Sequence, residues 1–103
     1  MEFQLERRKN RLYACGDMTI YNATVMREQC LAAWRASERD FKLDLSNVSE
    51  LDTCGLQVLL LLQRMAQAER RALKVVAVSD AAREVFNLCG LQALHDASQR
   101  QAV

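Results

Sequence analysis

Residues 41–80, FKLDLSNVSELDTCGLQVLLLLQRMAQAERRALKVVAVSD, contain two hydrophobic periods separated by a polar turn. Phe41, Leu43 and Leu45 alternate with polar neighbours, which predicts a strand; Asp44 and Ser46 point the other way or end it. Ser46 to Asp52 reads as a loop. From Cys54 to about Ala68 the pattern changes to the most apolar helix of the chain. Leu73 to Val78 is a short β-branched run with the look of a buried strand. Strand, helix, strand in this order is the unit of an α/β domain.

Upstream, Phe3 and Leu5 alternate with Gln4 and Glu6. The pattern breaks at Arg7 to Asn10 and resumes with Leu12 and Ala14 up to Cys15. This is the signature of a β-hairpin, ended by Gly16 and Asp17. Asn22 or Thr24 can cap a helix that carries Val25, Met26, Cys30, Leu31, Ala33 and Trp34 at helical spacing and runs to about Ala36. Downstream, Ser79 and Asp80 cap a helix from Ala81 to Leu88 that Gly90 stops, and Leu91 to His95 is a candidate final edge strand. The fold expected is an α/β domain with a mixed β-sheet and helices packed on it, in the order β-β-α-β-α-β-α. The 103 residues suit one domain, 1–103.

Composition narrows the function. Fourteen basic and thirteen acidic residues give a net charge of +1, which leaves no electrostatic footprint for nucleic acid or an anionic membrane. The cluster Arg7, Arg8, Lys9, Arg11 falls where the hairpin turn is expected and reads as a solvated turn. The N-terminus lacks the apolar stretch of a signal peptide, and the longest apolar run, Val58 to Leu62, is far short of the ~20 residues that span a bilayer. A cytoplasmic protein without direct membrane insertion is expected. Cys15, Cys30, Cys54 and Cys89 form no CxxC pair and meet a single histidine, His95, so neither a metal site nor another cofactor site is expected. In a reducing compartment the cysteines serve as small apolar residues. Glycines 16, 55 and 90 are too dispersed to cradle a phosphate.

The segment from Phe41 to Leu91 resembles the STAS domain, the family of bacterial anti-sigma-factor antagonists and their relatives. The matching features are the strand ending Asp44-Leu45-Ser46, the turn Leu51-Asp52-Thr53-Cys54-Gly55-Leu56 into an apolar helix, and Val85-Phe86 followed by Leu88, Gly90 and Leu91. The opening hairpin and Gly16 fit too. The resemblance implies a STAS-type sheet and a regulatory, non-enzymatic, protein-binding module. In the antagonist branch, the residue after the turn aspartate, here Thr53, is phosphorylated by a serine/threonine kinase-type anti-sigma factor and restored by a phosphatase. Antagonists commonly have a second hydroxyl residue where this chain has Cys54, and often an aspartate where it has Thr19. An Asp-Thr-x-Gly turn is also similar to the STAS subunit of Mla-type phospholipid ABC transport systems, which binds an ATPase subunit.

Physical chemistry independently singles out Thr53. A hydroxyl at a helix start faces unpaired N–H groups and the positive end of the helix dipole, where an added phosphate can be held. Its charge would then block an apolar partner surface. Alternatively, Thr53 or Asp52 simply caps the helix, a role worth about 1 kcal/mol. At 100° per residue, Thr53, Leu56, Gln57, Leu60, Arg64 and Gln67 share one side of this helix, while Val58, Leu59, Leu62, Met65 and Ala66 share the other. The second set is the expected core. The first, with Asp52, Cys54 and Gly55 at the turn, is the expected partner surface, its two leucines exposed. The apolar excess of this helix permits a homodimer without requiring one. An enzymatic use of Cys15 as a nucleophile would need a nearby acid or base, and no histidine is close in sequence.

Overall fold

A computed structural model describes residues 2–37 and 40–88 of the chain. The sheet has four strands in the order β1-β2-β3-β4, comprising β1 (Gln4–Arg8), β2 (Arg11–Met18), β3 (Phe41–Leu51) and β4 (Leu73–Val78). β1 and β2 form the expected antiparallel hairpin, and β2, β3 and β4 run parallel. Helix α1 (Ala23–Ala36) connects β2 to β3 and α2 (Thr53–Glu69) connects β3 to β4. Crossovers between parallel strands are almost always right-handed, so two that step the same way across a sheet place their helices on one face, and α1 and α2 pack against each other. α3 (Asp80–Leu88) packs against β3. The Ser79 hydroxyl caps it by accepting from the Ala82 N–H at 3.1 Å. The proposed helix stop at Gly90, the edge strand Leu91–His95 and Cys89 lie outside the described residues.

β2 and β3 are longer than their sequence patterns indicate. Gly16 and Asp17 continue β2 instead of ending it, and Ser46 to Leu51, read as a loop, are strand. Each extension supplies the other's hydrogen-bonding partner: Asn47 pairs with Cys15, Val48 with Gly16, Glu50 with Asp17 and Leu51 with Met18. Two register shifts in this ladder break the period of two, so Val48 and Leu51, three residues apart, both reach the core. Gly16 lies at φ 97°, and a Cβ there would run into the Glu2 carbonyl. Only glycine suits that position. A further shift between Leu43 and Asp44 lets Leu43, Asp44 and Leu45 all be buried in succession. Asp44 is held by the Ser46 N–H at 2.8 Å, the Ser46 hydroxyl and Arg11 at 3.4 Å.

The core collects Leu12, Ala14 and Met18 from β2, Met26, Cys30 and Trp34 from α1, and Leu43, Leu45 and Val75 from the parallel strands. α2 contributes Val58, Leu59, Leu62 and Ala66 as expected, with Met65 partly buried beside them. Asn22 precedes α1 but makes no capping bond; its side chain donates to the Asp17 carbonyl at 2.9 Å. Val25, assigned to the apolar stripe of α1, is exposed.

The far ends of α1 and α2 are joined through Trp34. Its ring lies 5.2 Å from that of Phe41, its indole N–H donates to Glu69 at 3.1 Å, and the Arg71 guanidinium stacks over it at 3.7 Å. Arg71 also donates to the Trp34 carbonyl at 3.1 Å. α2 ends on Arg70 in the left-handed conformation, φ 54°, and the Arg71 N–H closes the terminus on the Ala66 carbonyl at 2.9 Å.

Gly55 faces the end of β2 so closely that a Cβ would overlap the Met18 carbonyl and the Leu51 side chain. Gly55→Ala is therefore expected to destabilise the fold by ~1–3 kcal/mol through overpacking, whereas Gln57→Ala, two residues on and exposed, stays within about 0.5 kcal/mol of the wild type. Urea denaturation of the two variants checks this; equal midpoints would show that α2 can back away from the sheet.

Candidate partner-binding site

The site is built at the β3–α2 turn. Asp52 is extended, φ −120° and ψ −170°, so its side chain folds over the helix start. Oδ1 accepts from the Cys54 N–H at 2.8 Å and the Gly55 N–H at 3.3 Å, while Oδ2 accepts from the Ile20 N–H at 2.9 Å. The Asp52 N–H donates in turn to the Met18 carbonyl at 3.2 Å. One carboxylate thus neutralises helix-start donors and fastens the turn to the segment after β2. The choice between Asp52 and Thr53 as cap is settled: Asp52 does it.

Thr53 is the first residue of α2 and is exposed, with the capping function taken by its neighbour. Gln57 and Arg64 share its exposed side, and Leu60, expected to be exposed and found half-buried, still reaches that side. Leu56 does not. It is 5% exposed and packs in the core, which removes it from the accessible surface. The reason is depth: the start of α2 is pressed onto Met18 where Gly55 has no side chain, so the buried arc is widest there. Gly55 itself is buried and serves the approach of the helix, and Cys54 is half-buried beside it.

Two neighbours of the turn had no place in the sequence pattern. Ile20 and Tyr21 form a 3₁₀ turn, Ile20–Asn22, directly beside Asp52, and are 63% and 94% exposed. An apolar pair lying between a strand and a helix, on the period of neither, was the only signal of their exposure. Behind them a groove of about 360 Å³ runs between α1 and α2, lined by Ala23, Arg27, Cys54, Gln57, Val58, Leu61 and Arg64. Thr19, where antagonists often carry an aspartate, is buried at 5% exposure and lies next to the same turn.

Among the described residues no group of histidine, cysteine and carboxylate side chains is arranged to hold a metal. Nor is any helix long and apolar enough to cross a membrane. Cys15 is half-buried, its sulfur 3.9 Å from the Tyr13 carbonyl and from the Asn47 amide nitrogen. Neither group is an acid or base that could activate it. Burial pushes the Cys30 thiol up from its ordinary 9.0 to about 12.

The fold and the turn together define a small α/β module that presents a hydroxyl on an acid-capped helix start. The family model described as "Mlab, STAS domain" matches residues 1–96, and the chain belongs to the STAS domain family. Solved structures share the fold. The anti-sigma factor antagonist SpoIIAA in its unphosphorylated form superposes with a TM-score of 0.67 at 20% identity over 89% of this chain and 84% of that one. An anti-sigma factor antagonist from Mycobacterium paratuberculosis gives 0.65 at 24% identity over 86% and 77%. The Bacillus cell fate determinant SpoIIAA in the phosphorylated form gives 0.62 at 20% identity over 89% and 86%. No sequence among the curated proteins matches.

If Asp52 alone holds the turn, Asp52→Ala loses ~1–2 kcal/mol of capping and frees the loop at Ile20, whereas Thr53→Ala changes stability by less than about 0.5 kcal/mol. Thermal melts separate the two; comparable losses would make Thr53 a structural residue. Cys30 gives a pH test. Its folded pKa exceeds the unfolded value, so the stability it contributes is intact below about pH 9 and falls between about 9 and 12 as the unfolded chain releases a proton that the folded chain retains. Cys30→Ser is expected to flatten that part of the alkaline stability profile.

Proposed function

We propose that the chain is a regulatory, non-enzymatic binding module that docks a partner protein on the start of α2 and is switched by phosphorylation of Thr53, in the manner of an anti-sigma-factor antagonist. The observation that carries this reading is the division of labour at the turn. Asp52 satisfies the helix start, and the neighbouring Thr53 stands exposed with no capping duty. A phosphate there would meet the positive end of the α2 dipole and would place about two negative charges on the docking surface. The partners are then a serine/threonine kinase-type anti-sigma factor, which both binds and modifies the module, and a phosphatase that restores it. The surface comprises Asp52, Thr53, Cys54, Gln57, Leu60 and Arg64, with Gly55 and Leu56 supporting it from beneath. The setting for this exchange is the cytoplasm.

A second reading has specific support: the module is the STAS subunit of an Mla-type phospholipid transport system and docks on its ATPase. The description of the matching family model favours it. So does Thr19, buried where the antagonists often place an aspartate. The same face of α2 would be used, without phosphorylation.

Incubation with the kinase encoded nearest to it and ATP is expected to yield a single phosphopeptide containing Thr53, and Thr53→Val is expected to abolish the labelling. Absence of labelling, together with co-purification of an ABC-type ATPase that Thr53→Glu leaves unchanged, would overturn the phosphorylation switch and establish the second reading.

A further inference from the structure

The groove between α1 and α2 has an unbalanced charge. Its floor is made by Ala23, Val58 and Leu61, with Cys54 at the end nearest Thr53. Among the described residues the charged ones lining it are two arginines, Arg27 from α1 and Arg64 from α2. Both are exposed, and among the described residues neither forms an ion pair. Their own helices offer no help. The positions three and four residues before and after Arg27 are Thr24, Ala23, Cys30 and Leu31, and those around Arg64 are Leu61, Leu60, Gln67 and Ala68. A carboxylate at such a spacing would have offered each arginine a partner on its own helix. Apart from Arg64, the charge on α2 is Glu69 at its far end, which is engaged with Trp34 and Arg71.

We infer that this groove receives an acidic, amphipathic segment of a partner protein, with an apolar side chain seated on Ala23, Val58 and Leu61 and carboxylates paired to Arg27 and Arg64. Guanidinium forks match carboxylates bidentately and are less strongly hydrated than ammonium groups, so they suit a contact that becomes desolvated. An anionic lipid surface fits less well. The contact is a concave slot between two helices, and a planar bilayer meets convex, multiply basic surfaces more readily. The inference deepens the proposed function, since it rests on the α2 start being the docking surface, but it does not require that Thr53 be phosphorylated. It also gives phosphorylation a physical effect. A dianion at the mouth of the groove would repel the acidic segment through space while leaving the fold unchanged.

The test uses three synthetic amphipathic helical peptides with the same leucine face and with glutamate, glutamine or lysine at the flanking positions. They are titrated into the isotopically labelled full chain and followed by backbone amide shifts. The glutamate peptide is expected to bind about ten-fold or more tightly than the glutamine peptide, with shifts at Ala23, Arg27, Cys54, Gln57, Leu61 and Arg64 and with affinity falling as salt is raised. Arg27→Glu and Arg64→Glu are each expected to weaken it about ten-fold or more at an unchanged melting temperature, because both side chains are exposed. Arg35→Glu, at the far end of α1 and outside the lining of the groove, is expected to leave it unaltered, and the unmodified chain is used throughout, so a module that is never phosphorylated can still pass. Equal binding of the three peptides, failure of all three to bind, shifts confined to another face, loss of binding only through unfolding, or tighter binding to vesicles of anionic phospholipid than to the glutamate peptide would each overturn the inference.

Discussion

The Asp52 carboxylate is the interaction on which the arrangement of the site depends. It takes N–H donors from two directions, the start of α2 and the segment after β2, so the helix start and the loop that carries Ile20 and Tyr21 cannot move independently. Charge-assisted hydrogen bonds of this kind are about twice as strong as neutral ones, and here they act at the end of a helix whose dipole favours a negative charge. Satisfying those donors with the side chain before the helix leaves the first helical side chain free of any structural task. The exposure of Thr53 follows from the chemistry of its neighbour.

That tie works only because the backbones come close. The Met18 carbonyl accepts from the Asp52 N–H, and Gly55, in the first turn of α2, lies against the same residue without a side chain to hold it off. The approach in turn requires β3 to run up to Leu51, beside Met18 at the end of β2. Bulges in that ladder shift the register so that Val48 and Leu51 both face inward and the chain emerges aimed at the helix start. Extended strands, bulges, glycine contact and carboxylate are therefore successive conditions on one local geometry.

Much of this was legible in the sequence, and the rest was hidden for identifiable reasons. The core side of α2 and the hairpin have regular periods and Leu73 to Val78 is a compact β-branched run, which are signals that a single sequence displays, although of that run only Leu73 and Val75 are buried. The outer half of β3 has none, because bulges break its alternation and leave Ser46, Asn47, Ser49 and Glu50 looking like a loop, whereas β2 keeps its alternation to Met18 and was cut short only because Gly16 and Asp17 were read as its end. Leu56 was assigned to the surface by angle alone. A helical wheel treats every turn as equally deep, whereas the start of α2 is sunk onto Met18 and its far end is not. The pairing of Arg27 with Arg64 across a groove belongs to neither helix separately, and arises only when α1 and α2 are packed together.

Fixing both ends of α2 has a consequence for how such a module can signal. Its start is tied by Asp52, and its end is closed on Ala66 and joined to α1 and β3 through Trp34, Glu69, Arg71 and Phe41. A helix tied at both ends, with Leu62 and Leu59 fully buried between them, is held in a close-packed core. A switch that rearranged it would have to break the core. A change of charge on an exposed side chain needs no rearrangement, since it alters what the surface repels and attracts while the backbone stays in place. The proposed regulation at Thr53 is of this second kind, and the tied ends of α2 suit it: a charge added to a surface held in place acts through the partner's affinity.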